Sequence, residues 1–176
     1  MKKSIEKRLS YLYTGELSAV MAFIGVSFLV NYAYPELQLF SLSSFWLSFC
    51  LLEFLLLQGT MYWYSKLQVV KKSHSAVTLS KIVILLRKLK NWNIVLIIVT
   101  PVAFIIDLLK WDPLPSGGGY VTVFIYIFAI LEYINYFHIQ LSYDNASDVK
   151  NLLTLKRLKK ASLSKDFERM HNNNIV

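Results

Sequence analysis

Four long apolar stretches constrain the fold of this chain more than any other feature of its sequence. A helix needs about 20 mostly apolar residues to cross a bilayer core of ~30 Å. Residues 17–34, 42–64, 91–109 and 120–143 meet this requirement, and Glu53, Asp107 and Glu132 are the only aspartate, glutamate, lysine or arginine residues in them. The sequence therefore predicts an all-α integral membrane four-helix bundle over residues 1–143, followed by a basic cytoplasmic tail over residues 144–176.

The composition agrees with a membrane protein and excludes several other classes. The chain is 55% apolar and only 17% charged, against about 25% charged for soluble domains. Cys50 is the single cysteine, so an intrachain disulfide and a cysteine-based zinc site are both excluded. No metal or cofactor motif is present, and we expect neither a metal nor a cofactor.

The basic residues predict the orientation of the bundle. Eighteen of the nineteen lysines and arginines lie before the first stretch, between the second and third, or after the fourth. Lys110 alone lies in the third loop. Cytoplasmic loops of membrane proteins carry such an excess of basic residues. We therefore expect a multi-pass cell-membrane protein with both termini in the cytoplasm, and we expect no binding to nucleic acid. A cleaved signal peptide is the alternative for the first stretch, but Asn31-Tyr32-Ala33 is a poor cleavage site.

Two basic segments have apolar residues at helical spacing. Residues 78–90 predict an amphipathic helix on the inner membrane surface or an extension of the third span. Residues 149–160 predict a second surface helix, and the stretch from Ser162 is expected to be loosely ordered. The bilayer itself is the expected partner, with anionic lipid at the cytoplasmic face. The predicted headgroup contacts are Lys88, Lys90, Lys156, Arg157, Lys159 and Lys160.

Local signals predict how the spans begin, bend and pack. The run Gly117-Gly118-Gly119 predicts a turn, with the fourth helix beginning after it. Thr100-Pro101 predicts a kink in the third span, because proline leaves one backbone carbonyl without its helical donor. Small residues at helical spacing on the first span allow a close approach by another helix or by a second copy of the chain. These residues are Ser18, Ala22 and Gly25.

Glu53 and Glu132 form the candidate intramembrane polar site. Each lies near the middle of its predicted span, and residues 49–55 align with residues 128–134 at an offset of 79. This similarity predicts two parallel hairpin repeats, with the two glutamates facing each other. Asn135 and Tyr136 lie within about 60° of Glu132 around a helix, whereas His138 lies about 120° away. Asp107 is expected to reach the headgroup layer and, because it lies three residues before Lys110, to pair with Lys110 on the helix.

Three segments carry a resemblance to a known group of proteins: YLYTGELSAV, LLEFLLLQGTMYWYSK and FAILEYINYFHIQLSYDN. The chain resembles short four-span membrane proteins of Gram-positive bacteria, some of which are labelled general stress protein. The resemblance implies a stress context but no site residues. Two hypotheses follow. The first is a non-enzymatic protein with a structural, stress-response or partner-binding role. The second is a small proton- or cation-coupled transporter or channel using Glu53 and Glu132.

Overall fold

The computed structural model describes residues 2–73, 80–111, 115–141 and 159–173, and these are almost entirely helical. Four long helices are α1 (Lys2–Ala33), α2 (Ser43–Ser73), α3 (Ser80–Lys110) and α4 (Ser116–Phe137), and a shorter helix α5 (Ser162–Asn173) follows. All four long helices are long and apolar enough to cross a membrane. The prediction of four spans in an all-helical fold is confirmed to this extent.

Helix α2 is the centre of the bundle, and α1, α3 and α4 all pack against it. Leu9 of α1 packs on Leu67 and Val70 near the end of α2, so these two helices run antiparallel. The N-termini of α1 and α3, the C-termini of α2 and α4, and α5 lie at one end of the bundle, which we call the basic end. Helices α2 and α4 run parallel, as the repeat predicts. However, α3 packs mainly on α2 and only slightly on α4, so α3 and α4 do not form a hairpin like that of α1 and α2.

Helix α3 continues without interruption through the basic segment that begins at Ser80. Of the two predictions for this segment, extension of the third span is therefore the correct one. Leu86 is fully buried within it, which fixes the extension against the rest of the bundle.

The glycine run lies inside α4 rather than before it, so the predicted turn is wrong. Pro115 precedes the first turn of α4, and proline is well tolerated at a helix start. A Cβ atom on Gly118 would clash with the backbone carbonyl of Leu37. The glycines therefore serve close packing of the loop between α1 and α2 on the start of α4.

Pro101 lies within α3 and leaves the carbonyl of Ile97 without its usual donor four residues later. The hydroxyl of Tyr126 on α4 donates to this carbonyl at 2.8 Å. A neighbouring helix thus supplies the hydrogen bond that the proline removes, as membrane helices require.

Asp107 caps the start of α2 instead of reaching the headgroup layer, so that prediction is wrong. Its side chain is 1% exposed and accepts hydrogen bonds from the Ser43 and Ser44 backbone amides at 3.1 and 2.7 Å. The Ser44 hydroxyl donates to it as well. The first amides of a helix lack intrahelical partners and favour a nearby negative charge. Lys110 does not form the predicted pair with Asp107, and its ammonium group lies over the ring of Trp111.

A second polar contact joins α2 and α3 inside the bundle. The buried side-chain amides of Gln58 and Asn93 exchange two hydrogen bonds, at 2.9 and 3.0 Å. Each amide thereby satisfies a donor and an acceptor of the other, which burial in an apolar core demands.

The predicted helix-packing face on α1 stays uncovered by the described residues. Ser18, Ala22 and Gly25 are all exposed, and a Cβ on Gly25 would meet no other atom within 4 Å. The reason is that α1 packs on α2 with a different face. Contact with a second copy or another protein stays a prediction.

Helix α5 is an ordered part of the structure, so the prediction of a loose segment from Ser162 is wrong. Buried Asp166 accepts hydrogen bonds from the Tyr62 hydroxyl at 2.8 Å and from the Lys66 ammonium at 3.4 Å. Leu163 and Phe167 pack on the main core. Apolar burial and a buried ion pair together hold α5 on the basic end.

Four of the six predicted headgroup contacts lie within the described residues. Lys156, Arg157 and most of the predicted second surface helix lie outside the described residues. Lys160 forms an ion pair with Glu168, and Lys90 lies over the ring of Phe137. Lys88 and Lys159 are exposed.

Candidate functional site

A cavity of about 360 Å³ opens at the basic end of the bundle. Its walls come from α1, α2, α4 and the stretch that leads into α5. Charged and polar side chains line one part of it and apolar side chains the other. The lining comprises Ile5, Arg8, Leu9, Leu12, Glu16, Trp63, Lys66, Glu132, Asn135, Tyr136, Gln140, Lys159 and Ser162.

Helix α1 presents one continuous face to the cavity. Ile5, Leu9, Leu12 and Glu16 follow one another at spacings of four, three and four residues, which places them on one side of a helix. Apart from Arg8, the face is apolar until Glu16, which reaches deepest along the helix from the basic end. Sequence reasoning missed Glu16 as a site residue, although this spacing could have revealed it.

Helix α4 supplies the facing polar residues. Glu132, Asn135 and Tyr136 lie on adjacent turns, and the Asn135 side-chain amide donates to Glu132 at 3.3 Å. The side-chain carbonyl oxygen of Asn135 accepts a hydrogen bond from the backbone amide of Leu141 at 2.8 Å. These contacts orient the amide so that it holds the Glu132 carboxyl on the cavity wall.

Tyr136 is held between α1 and α2 with its hydroxyl at the cavity. A Cβ on Gly59 would collide with the Tyr136 hydroxyl, so glycine is the residue on α2 that leaves room for this ring. Tyr136 lines the same cavity as Glu16, and its hydroxyl makes no hydrogen bond with any described group. Since the side chain is only 7% exposed, this hydroxyl is an unsatisfied polar group inside the protein.

The predicted pair of Glu53 and Glu132 is not formed. The acidic residue that lines the same cavity as Glu132 is Glu16. Glu53 does not line the cavity, and neither of its carboxyl oxygens has a hydrogen-bond partner in the described part of the chain.

Helix α4 ends at Phe137, six residues before its predicted end, so Glu132 lies about 7.5 Å from the basic end of the helix. Glu53 on α2 lies outside the lining of the cavity that Glu132 shares with Glu16. The alignment between the two segments is therefore no guide to which side chains share a site.

His138 lies just beyond the end of α4 and outside the cavity lining. Its ring contacts that of Tyr133 at 5.5 Å between centroids. Partial burial and the positive charge of Lys90 lower the pKa of His138 below its ordinary value. The neutral ring is thus favoured, and His138 is separate from the Glu132 group with which it was predicted.

The cationic side chains of the cavity lie nearer the basic end of the bundle than its carboxyl groups. Arg8, Lys66 and Lys159 all line it, and Lys66 also forms the ion pair with Asp166 that holds α5. The cavity therefore combines two carboxyl groups at its deeper part with three cations, over an apolar wall that includes Trp63. Among the described residues, no three histidine, cysteine or acidic side chains converge to hold a metal ion.

Comparison with known proteins gives no further assignment. No protein family, no curated protein and no solved structure matches this chain.

Proposed function

We propose that the chain is a non-enzymatic protein of a bacterial cytoplasmic membrane that acts by binding a ligand at its basic end. In this proposal both termini face the cytoplasm, because basic residues concentrate on that side of membrane proteins. The bacterial source and a role in stress response rest on the resemblance of the sequence segments described above.

One observation carries the proposal. Charged side chains from α1, α2, α4 and the stretch before α5 converge on a single cavity, whose volume lies in the range of small-ligand sites. Burying carboxyl groups in a membrane protein is costly and is a mark of function. A protein that bound only a partner protein would not require charged side chains from several helices to converge on one cavity.

The surrounding surface supports contact with the inner leaflet. Lys88, Lys90, Lys159 and Lys160 belong to the basic end, and each basic residue near an anionic membrane surface contributes about 1 kcal/mol of attraction. We propose that these residues contact lipid headgroups around the cavity.

Native mass spectrometry of the full chain, released from its own membrane in mild detergent, tests this function. The expected result is a retained small molecule or lipid on the wild-type protein and its loss from Glu132→Gln. Glu53→Gln is the matched control, because it makes the same chemical change outside the cavity and should retain the ligand. Absence of any retained molecule, or equal retention by both variants, would contradict the proposal.

A proton- or cation-coupled transporter is the second candidate, and Glu53 is the observation that favours it. An unpaired carboxyl inside a helix of this hydropathy is a mark of ion pathways. Proteoliposomes loaded with a pH-sensitive dye provide the test. Proton flux that Glu53→Gln abolishes would favour transport over the binding role.

A further inference from the structure

We propose that the deeper part of the cavity, formed by Glu16, Glu132 and Tyr136, binds the primary ammonium group of a phosphoethanolamine moiety. This inference rests on the proposed binding function and adds the chemical class of the ligand. The moiety has two sources, the headgroup of phosphatidylethanolamine and soluble phosphoethanolamine.

The unsatisfied hydroxyl of Tyr136 is the first argument. A buried polar group without a partner costs about 1–3 kcal/mol, and in native structures such groups call for a specific explanation. Tyr136 is 7% exposed, its hydroxyl has no hydrogen-bond partner among the described groups, and the residue lines the cavity. A ligand that occupies the cavity would give it a hydrogen-bond partner.

The two carboxyl groups are the second argument, because they determine the sign of the charge on the ligand group that they bind. Glu16 and Glu132 both line the cavity, and a cation between their carboxyl groups would be attracted to both. Asn135 already donates to one oxygen of Glu132, which leaves other lone pairs of the carboxyl for a ligand.

The number of acceptors identifies the kind of cation. A primary ammonium has three N–H donors, and the Glu16 carboxyl, the Glu132 carboxyl and the Tyr136 oxygen are three acceptors around one space. A quaternary ammonium of similar charge has no N–H and would leave these acceptors unsatisfied. The site should therefore discriminate between ethanolamine and choline headgroups.

The cationic part of the cavity argues for an anion on the same ligand. Arg8, Lys66 and Lys159 line the wall beyond the carboxyl groups, and guanidinium and ammonium groups are the usual partners of phosphate. A simple amine would be repelled by these cations. A phosphate joined to the ammonium by two carbons would match both parts of the cavity.

The test uses the purified full-length chain and native mass spectrometry with an equimolar mixture of phosphatidylethanolamine and phosphatidylcholine of identical acyl chains. Loss of a charge-assisted hydrogen bond corresponds to about a tenfold change in affinity. We expect the wild-type chain to prefer phosphatidylethanolamine by about tenfold. Glu16→Gln and Tyr136→Phe should bring the preference close to one, and Glu53→Gln should leave it unchanged.

A second arm separates the two sources. Soluble phosphoethanolamine is added to the chain in phosphatidylcholine micelles, and the thermal unfolding midpoint is measured. A shift of the unfolding midpoint in the wild-type chain that is lost in Glu16→Gln would assign the site to the soluble molecule. No shift of the midpoint, together with the preference for phosphatidylethanolamine, would assign the site to the lipid headgroup. Circular dichroism of each variant verifies that it is folded.

Equal binding of the two lipids by the wild-type chain, with no effect of soluble phosphoethanolamine, would overturn the ammonium site. If a different ligand were then retained in a manner that depends on Glu132 but not on Glu53, the proposed binding function would stand without it. If no ligand depended on Glu132, both proposals would fail.

Discussion

The hydrogen bond from Tyr126 to the Ile97 carbonyl gives the sharpest prediction about stability. Removing the hydroxyl with Tyr126→Phe keeps the ring but leaves this carbonyl without a donor, because Pro101 has no N–H to offer. Interhelical hydrogen bonds in membrane proteins contribute about 0.6 to 1.7 kcal/mol, and an orphaned buried acceptor costs about 1–3 kcal/mol. We expect Tyr126→Phe to destabilise the fold by about 1–2 kcal/mol.

A double-mutant cycle with Pro101→Ala isolates this effect. Alanine restores a backbone N–H four residues after Ile97, so the carbonyl keeps a donor when Tyr126 is changed. The cost of Tyr126→Phe should then fall to about 0.5 kcal/mol or less, which gives a coupling energy of about 1 kcal/mol. Unfolding free energies are measured by titration with sodium dodecyl sulfate in mixed micelles. Tyr120→Phe, on the same helix but 77% exposed, is the matched control and should have little effect. Additive effects of the two changes would refute this account of the proline.

Three further predictions concern the polar contacts that join the helices. Asp107→Ala should lower the unfolding free energy by about 2 kcal/mol, because it removes the cap of α2, and thermal unfolding with Asp107→Asn as the milder comparison checks this. Asn93→Leu should cost about 1–3 kcal/mol by orphaning the amide of Gln58, and Gln58→Leu in the same chain should recover part of the loss in a detergent unfolding titration; no recovery would contradict the pairing. Asp166→Ala should release α5, so hydrogen exchange of residues 162–173 should rise sharply while that of α2 stays slow; unchanged protection would show that apolar contacts alone hold the helix.

The four candidate spans follow from the sequence because each apolar stretch is long enough on its own to cross a membrane. The limits of the helices do not follow in the same way. Apolar residues beyond Phe137 extend the predicted fourth span, but the chain turns there, and Ala161 donates its backbone amide to the His138 carbonyl at 3.1 Å. Such a contact between distant segments is invisible to hydropathy.

The part of the candidate site that α4 supplies is predictable from the sequence, and the reason lies in the kind of signal each residue carries. Glu132, Asn135 and Tyr136 share one face of a single helix, so local spacing places them together. Glu16 joins them from α1, and only the packing of α1 on α2 brings it there. Glu53 was paired with Glu132 by local similarity, which says nothing about the relative depth of two helices.

The role of Asp107 was misread for a related reason. A carboxyl near the end of a span usually reaches the headgroup layer, and that expectation is sound for an isolated helix. In the bundle the start of α2 lies beside it and presents unpaired backbone amides. The gain from capping these amides outweighs solvation of the carboxyl at the surface.

Access to the cavity from the cytoplasm is the central claim, and the labelling of one introduced thiol tests it directly. Leu12 lines the cavity, and Cys50→Ser removes the single native thiol. A Leu12→Cys variant in that background should react with a membrane-impermeant maleimide in inside-out vesicles but not in intact cells. Leu109→Cys, at the opposite end of the bundle and 83% exposed, should show the reverse pattern. Labelling at Leu12 from outside the cell would contradict the claim.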